Sequence, residues 1–346
     1  MPGKILQTAL ILFLMAAFSP VIAQTNAPVV TPSKDLHPPR QVLAFYYTWY
    51  GPDRHWEKVD ATNHDISASR HYPEMGAYDS HDPKIIAKQI AAARKAGITG
   101  FICTWWGQGT YEDQAVPLTL AAAQGKNFNV TVYWEVAPGN GQQQIDQAVS
   151  DLSYLVTHYG TNSAFLKVDG KPVIFIYGRV MDQVPRSEWP EIISRAHAKV
   201  GDFLLICDGY SARNAAIFDG LHTYNICGQV KKQLDGDSTD KLRTWADGHY
   251  ARVVKLARDA GDISCVDVIP GYDDTKIRHP GLDVERLNGQ VYSTLWEEAI
   301  KANPDWVLIT TWNEWHEGSE IEASYEFGTK YLKLTDHYAP SFLKGK

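Results

Sequence analysis

Trp306-Val307-Leu308-Ile309-Thr310-Thr311-Trp312-Asn313-Glu314-Trp315-His316-Glu317-Gly318 joins two kinds of sequence without a break. The first four residues are the continuous apolar run of a short buried strand. The residues after them set two glutamates and a histidine among tryptophans, and Ser319-Glu320-Ile321-Glu322 adds two more carboxylates. Acidic residues that only solubilise a surface seldom stand between large rings at the end of a buried strand, because those rings raise the cost of a charge. Paired carboxylates flanked by aromatic faces are the equipment for cutting a glycosidic bond, one acid for the leaving oxygen, one base, and rings on which sugars stack.

Working outward, seven more short apolar runs share the rhythm of that strand: Val42 to Tyr47, Ile98 to Thr104, Asn129 to Trp134, Pro172 to Tyr177, Phe203 to Cys207, Gly220 to Tyr224 and Ile263 to Ile269. Between them, Asp82 to Ala96, Asp113 to Lys126, Gln142 to Tyr159, Ser187 to Val200, Thr239 to Ala260 and Asp283 to Ala302 carry apolar positions three and four apart. Ala212 to Phe218 is a weaker connection. Eight strand-helix units predict one α/β domain, a single (β/α)8 TIM barrel over residues 42–346, with chemistry at the C-terminal ends of the strands. Those ends are rich in rings: Tyr46-Tyr47-Thr48-Trp49-Tyr50, Trp105-Trp106, Tyr133-Trp134-Glu135, Tyr177-Gly178-Arg179, Tyr224-Asn225, Pro270-Gly271-Tyr272 and Trp312-Asn313-Glu314. The expected result is a cleft walled by aromatic faces that suits a chain of sugars better than one small metabolite.

The N-terminus bears a single charge, Lys4, then an uncharged run from Ile5 to Ala23 that closes on Val21-Ile22-Ala23. That pattern predicts a signal peptide over residues 1–23, and so export to a periplasm or the extracellular space, with no membrane span after cleavage. Residues 24–41, rich in Pro, Thr and Asn, read as a flexible leader. Losing Lys4 takes the formal charge from −7 to −8, and no basic run follows, which excludes a nucleic-acid partner. The four cysteines, Cys103, Cys207, Cys227 and Cys265, have no CxxC spacing, and at least three fall in strand-like runs, so buried free thiols are expected. A metal-dependent hydrolase would draw on His55, His64, His71, His81 and His316, but neither HxH nor HExxH occurs, and no metal or other cofactor is expected. A monomer suffices for such a cleft.

At several points the chain resembles glycoside hydrolase family 99, the endo-α-1,2-mannosidases and endo-α-1,2-mannanases. The motifs are Phe45-Tyr46-Tyr47-Thr48-Trp49-Tyr50-Gly51, His55-Trp56, Tyr72-Pro73-Glu74-Met75-Gly76-Ala77-Tyr78 with Asp82-Pro83, Pro270-Gly271-Tyr272 with Arg278, and Asn313-Glu314-Trp315-His316-Glu317-Gly318 with Ile321-Glu322. The resemblance implies a retaining endo-glycosidase acting on an α-linked oligosaccharide or polysaccharide. Glu314 would be the general base on the mannose 2-hydroxyl, giving a 1,2-anhydro sugar, and Glu317 the general acid and later base. Spacing alone leaves direct attack by Glu314 on the anomeric carbon open. For Glu317 to carry a proton, Trp315 or a second carboxylate would supply desolvation or repulsion.

The resemblance also implies substrate contacts from Tyr46, Tyr47, His55, Trp56, Trp105, Glu135, Tyr177, Tyr224, Arg278, Asn313, Trp315 and His316. Each has a plainer alternative: Trp105 as a cap on the barrel, Arg278 as partner of Asp273 or Asp274, Glu320 and Glu322 as rim charges or partners of a nearby cation. The chain also departs from the family, with Glu135-Val136-Ala137-Pro138 for Glu-Pro-Tyr, Tyr177-Gly178-Arg179 for Tyr-Asp, Ser319-Glu320 for Thr-Gln, and a short loop before His55. These changes spare both glutamates and alter the cleft walls. Hydrolysis of another α-glycan, such as an α-glucan, and a catalytically silent sugar-binding relative are the competing readings.

Overall fold

The computed structural model describes residues 36–345, so the expected signal peptide over 1–23 and the expected leader up to residue 35 lie outside the described residues. Eight parallel strands form the architecture: β1 Gln41–Tyr46, β2 Gly100–Trp105, β3 Asn129–Trp134, β4 Lys171–Ile176, β5 Leu204–Asp208, β6 Gly220–His222, β7 Ile263–Val268 and β8 Trp306–Ile309. Each pairs with the next in sequence, and β8 returns to β1 in the register Gln41↔Trp306 to Ala44↔Ile309, so the sheet closes as the expected (β/α)8 barrel. The β3–β4 seam has two paired positions, Tyr133↔Phe175 and Trp134↔Ile176. Below them the seam is filled by Ala164 to Val168, with Leu166 N–H on the Val130 carbonyl and Val173 N–H on that of Leu166.

Both faces of these strands are buried, which is why they read as near-continuous apolar runs. One face fills the barrel interior with Leu43, Phe45, Ile102, Tyr133, Val173, Phe175, Ile206, Cys265, Trp306 and Leu308. The other, including Val42, Ala44, Tyr46, Phe101, Cys103, Trp105, Val130 and Val132, packs on the helices. Gly220, which opens the short β6, is a glycine because a Cβ there would stand 2.5 Å from the Ile206 Cδ1 atom.

The helices are α1 Pro83–Lys95, α2 Tyr111–Ala123, α3 Gly141–His158, α4 Trp189–Val200, α5 Asp240–Ala260, α6 Gln290–Ala302 and α7 Lys330–Lys344, with shorter turns at Gly178–Gln183, Ala212–Ala215 and Cys227–Gln233. Asp82 and Thr110 cap α1 and α2 by accepting from the backbone N–H groups of Lys84 and Asp113. One expected helix is shorter than its pattern. Asp283–Val284 pairs antiparallel with Tyr272–Asp273 instead, and Leu287, Asn288 and Gly289 take positive φ values of 44°, 53° and 98° before α6 begins. All four cysteines are buried and free of disulfides. Among the described residues no helix is long and apolar enough to cross a membrane.

Candidate active site

The catalytic loop leaves β8 at Thr310 and is fixed from three sides. Asn313 is fully buried, accepting the Tyr47 N–H at 2.7 Å and donating to the Tyr47 carbonyl at 2.9 Å and the Tyr78 hydroxyl at 3.0 Å. The Tyr50 hydroxyl donates to the Asn313 carbonyl (3.0 Å) and accepts from the Trp315 N–H (3.1 Å). Trp315 has no exposed surface, and its ring N–H rests on Tyr78. Tyr78 in turn donates to Glu322 at 2.8 Å, and Gln89 donates to the other oxygen of Glu322 at 2.7 Å. The turn Trp315–Glu317 ends on Gly318 at φ +56°, where a Cβ would lie 3.1 Å from the Asp273 backbone N and O.

This scaffold gives the two glutamates different surroundings. Glu314 is 2 % exposed; its Oε1 accepts the His316 N–H at 3.2 Å and lies 3.5 Å from the His316 Nδ1, while Oε2 is buried without a hydrogen-bond partner. Burial pushes the Glu314 carboxyl up to about 7; His316 opposes the rise and the charge of Glu317 adds to it. Glu317 is more open. Its Oε1 accepts from Arg278 at 3.0 Å and its Oε2 from the Tyr224 hydroxyl at 3.1 Å, which itself accepts from Tyr47 at 2.7 Å. Arg278 also holds Asp274, one of the two partners expected for it. The neighbours of Glu317 are thus Arg278 and Tyr224; the Trp315 ring is committed to Tyr78.

Glu135 is 3 % exposed, and burial raises its pKa well above the usual range against the pull of Arg179. The charges of Glu135, Glu314 and Glu317 all bear on the Tyr47 hydroxyl, so three carboxylates converge on one floor. Rings wall it. Trp49 stacks on His55 at 4.6 Å and lies 6.2 Å from Trp106, Arg179 lies over Trp106 (4.8 Å) and Tyr177 (5.3 Å), and Tyr177 is 5.9 Å from Tyr224. Trp56 stacks on Tyr50 at 4.2 Å and donates to the Tyr78 carbonyl.

Tyr47, His55, Glu135, Tyr177, Tyr224, Arg278 and His316 therefore gather around Glu314 and Glu317, with Trp56 just behind. Four expected contacts do not. Tyr46 and Trp105 are fully buried on the helix-facing side of their strands, bonded to Gln89 and Asp113, and Asn313 and Trp315 spend their polar groups on the scaffold. Trp49, Trp106 and Arg179 stand in the wall instead; each lies one or two residues along the chain from an expected one, at the same strand end.

Glu320 and Glu322 are not rim charges. Glu320 is 1 % exposed and lies 2.7 Å from Arg286 and 2.9 Å from the His71 ring; burial alone would raise its pKa, but the charge of Arg286, with His71 beside it, holds it below the usual value. Beside them lies a cavity of about 590 Å³ lined by Tyr272, Asp273, Arg286, Gly318 and Phe327, outside the floor of the cleft. Glu322 has no cation beside it among the described residues, and burial pushes it up to about 7. A carboxyl with a raised folded pKa stabilises the fold fully below its unfolded value, near 4.5, and loses that contribution as pH rises through 7, here on the order of 3 kcal/mol. Thermal melts should accordingly show a Tm that falls from pH 5 to pH 8, and Glu322→Gln should flatten the fall. A Tm that rises over this interval would contradict the assignment. Glu320 acts in the opposite sense, its contribution being lost only as pH drops below about 4.5.

Among the described residues, His55, Glu57 and His316 bring metal-type donors within 4.8 Å of one another. The His316 Nε2 faces the His55 carbonyl at 2.9 Å, and a carbonyl only accepts, so that nitrogen carries a proton there and offers no lone pair.

A parallel barrel whose last strand delivers two unlike carboxylates to the floor of an aromatic cleft defines the class: a barrel-type glycoside hydrolase. Residues 54–344 match the model of glycosyl hydrolase family 99, and the chain belongs to that family. It is 29 % identical to a human glycoprotein endo-alpha-1,2-mannosidase-like protein over 90 % of this chain and 76 % of that one. It is 24 % identical to the mouse glycoprotein endo-alpha-1,2-mannosidase, with 87 % and 72 % covered. The solved GH99 endo-alpha-mannosidase of Bacteroides thetaiotaomicron superposes with a TM-score of 0.72 at 27 % identity, over 89 % of this chain and 99 % of that one.

Proposed function

We propose that this protein is an exported, retaining endo-glycosidase that hydrolyses internal α-1,2-mannosidic linkages in α-mannan or mannose-rich glycans. The observation that carries the reading is the contrast within one turn of chain. Glu314 Oε2 is buried and unpartnered while Glu317 sits between Tyr224 and Arg278, three residues on and open to the cleft. The names of the relatives supply the mannosidic linkage, and the signal-peptide pattern of residues 1–23 supplies export to a periplasm or the extracellular space.

In the first step Glu314 takes the proton of the 2-hydroxyl as O2 closes on the anomeric carbon, while Glu317 protonates the departing oxygen and the glycosidic bond breaks. In the second, Glu317, now a carboxylate, takes a proton from the water that attacks the anomeric carbon, and Glu314 returns its proton to O2 as the three-membered ring opens. Two inversions give net retention, and no covalent bond to the protein is needed. Glu135, Tyr177 and the Trp49–Trp106 wall hold the flanking sugars.

Proton NMR of the fresh digest tests this. Cleavage of an α-1,2-linked mannan should first yield α-configured reducing ends, and initial β ends would exclude the route. Inertness toward mannans with turnover of an α-glucan would favour the competing substrate, whose recognition would fall to the altered walls at Glu135 and Arg179.

A further inference from the structure

We propose that His316 is a positioning residue: an imidazolium clamp that holds Oε1 of Glu314 and leaves Oε2 as the one oxygen of that carboxylate available to the substrate. The proposal rests on the reading of Glu314 as the base.

The geometry of the ring argues for it. Nε2 faces the His55 carbonyl at 2.9 Å, which requires a proton on Nε2. A neutral ring would then turn the bare lone pair of Nδ1 toward Glu314 Oε1, 3.5 Å away and buried. Facing an ionised Glu314, that lone pair would repel in a dry site, so one proton lies between the two groups; on Nδ1 it makes the contact charge-assisted and leaves Glu314 the carboxylate that its role as base requires. The His316 backbone N–H reaches the same Oε1 at 3.2 Å, so both donors converge on one oxygen and none reaches the other.

The charges around the ring agree. Glu314 and, further along, Glu317 lie on its own loop; the loop after β1 contributes Glu57, with Oε2 3.5 Å from Nε2, together with His55 and the Tyr50 ring. Burial and the charge of His316 lower His55 to about 4, which leaves it neutral, so two carboxylates flank a single cation. Burial works against a charged His316, but the hydrogen bond and charge of Glu314 outweigh it and lift the ring to about 9. The clamp matters because a carboxyl buried as deeply as Glu314 otherwise keeps its proton near neutrality, and a protonated carboxyl takes none from a hydroxyl.

The direct test needs no turnover. In protein labelled with ¹³C at histidine Cε1, the His316 signal, identified among the twelve histidines by its loss in His316→Asn, should keep the imidazolium shift through pH 8. Glu57→Gln, a change at an exposed position, should move its titration to lower pH. A His316 that titrates near 6.5 would overturn the clamp.

The kinetic test uses the same variant. His316→Asn keeps a donor near the position of Nδ1 but no charge, so the acid limb of kcat/KM should move up by about one to three pH units, with activity returning in alkali. Substrate Kd, measured in a Glu317→Gln background, should stay unchanged. An unmoved acid limb with a raised KM would make His316 an ordinary sugar contact instead. A wild-type enzyme inert on α-mannan would count against the functional reading, while the NMR titration would still decide the clamp.

Discussion

Glu317→Gln is expected to lower kcat/KM on an α-1,2-linked mannan by about 10³-fold, and Glu314→Gln by a similar factor, because each removes a proton-transferring group worth about 10² to 10⁴ in rate. The two should part on an α-configured glycosyl fluoride. Fluoride departs without protonation, so Glu317→Gln should regain much of its first step, whereas Glu314→Gln loses the base whatever the leaving group. Binding should survive in both, since Tyr47, Glu135, Tyr177 and the tryptophan wall are untouched. Comparable losses on both substrates in Glu317→Gln would sink its role as the acid. The wild-type profile should have an ascending limb near 7, where burial sets Glu314, read as a property of the coupled Glu314–His316 pair.

The second large effect is on stability. Arg286 is 8 % exposed, lies 4.4 Å from the Phe327 and 4.5 Å from the Tyr331 ring centroids, and gives its Nη2 to Glu320 Oε1 (2.7 Å) and to the carbonyls of Gly318 and Glu320. Arg286→Met strips a buried carboxylate of its principal cation and should cost about 3–5 kcal/mol, a drop in Tm of roughly 10 °C for a chain of this size. Arg286→Met combined with Glu320→Gln should recover a large part of the loss, because the penalty arises from the stranded charge. A single variant that melts with the wild type would show that His71 alone satisfies Glu320. The carbonyl of Gly318 follows Glu317 directly, so kcat should also fall in Arg286→Met at temperatures where it remains folded.

Much of the barrel was legible because parallel strands buried on both faces leave a plain mark, a short run of apolar residues before a ring-rich loop. The same property hid the direction of the side chains. With apolar residues on both faces, alternation along Gly100–Trp105 carries no polarity signal, so Trp105 and Trp106 are equivalent in sequence although only the second reaches the cleft. Tyr46 and Tyr47 divide in the same way. Asp283 to Gly289 read as helix because its charges and apolar spacing fit one; Leu287-Asn288-Gly289, an ordinary helix-stopping triplet, was the overlooked sign. The polar set of the catalytic loop misled differently. Asn313 and Trp315 are spent on shaping the turn, and their hydrogen bonds run to Tyr47 and Tyr78, more than 230 positions away in the chain, which local spacing does not reveal.

The return of β8 to β1 ties residue 41 to residue 306. A chain halted after Val268 and before Trp306 would present two raw sheet edges, on β1 and on β7, each a template for strand addition by a neighbour. The segment that seals both edges is also the one that carries Glu314 and Glu317. Closure and catalytic competence thus arrive together with one strand, and a chain that has not yet added it is at once sticky and inert.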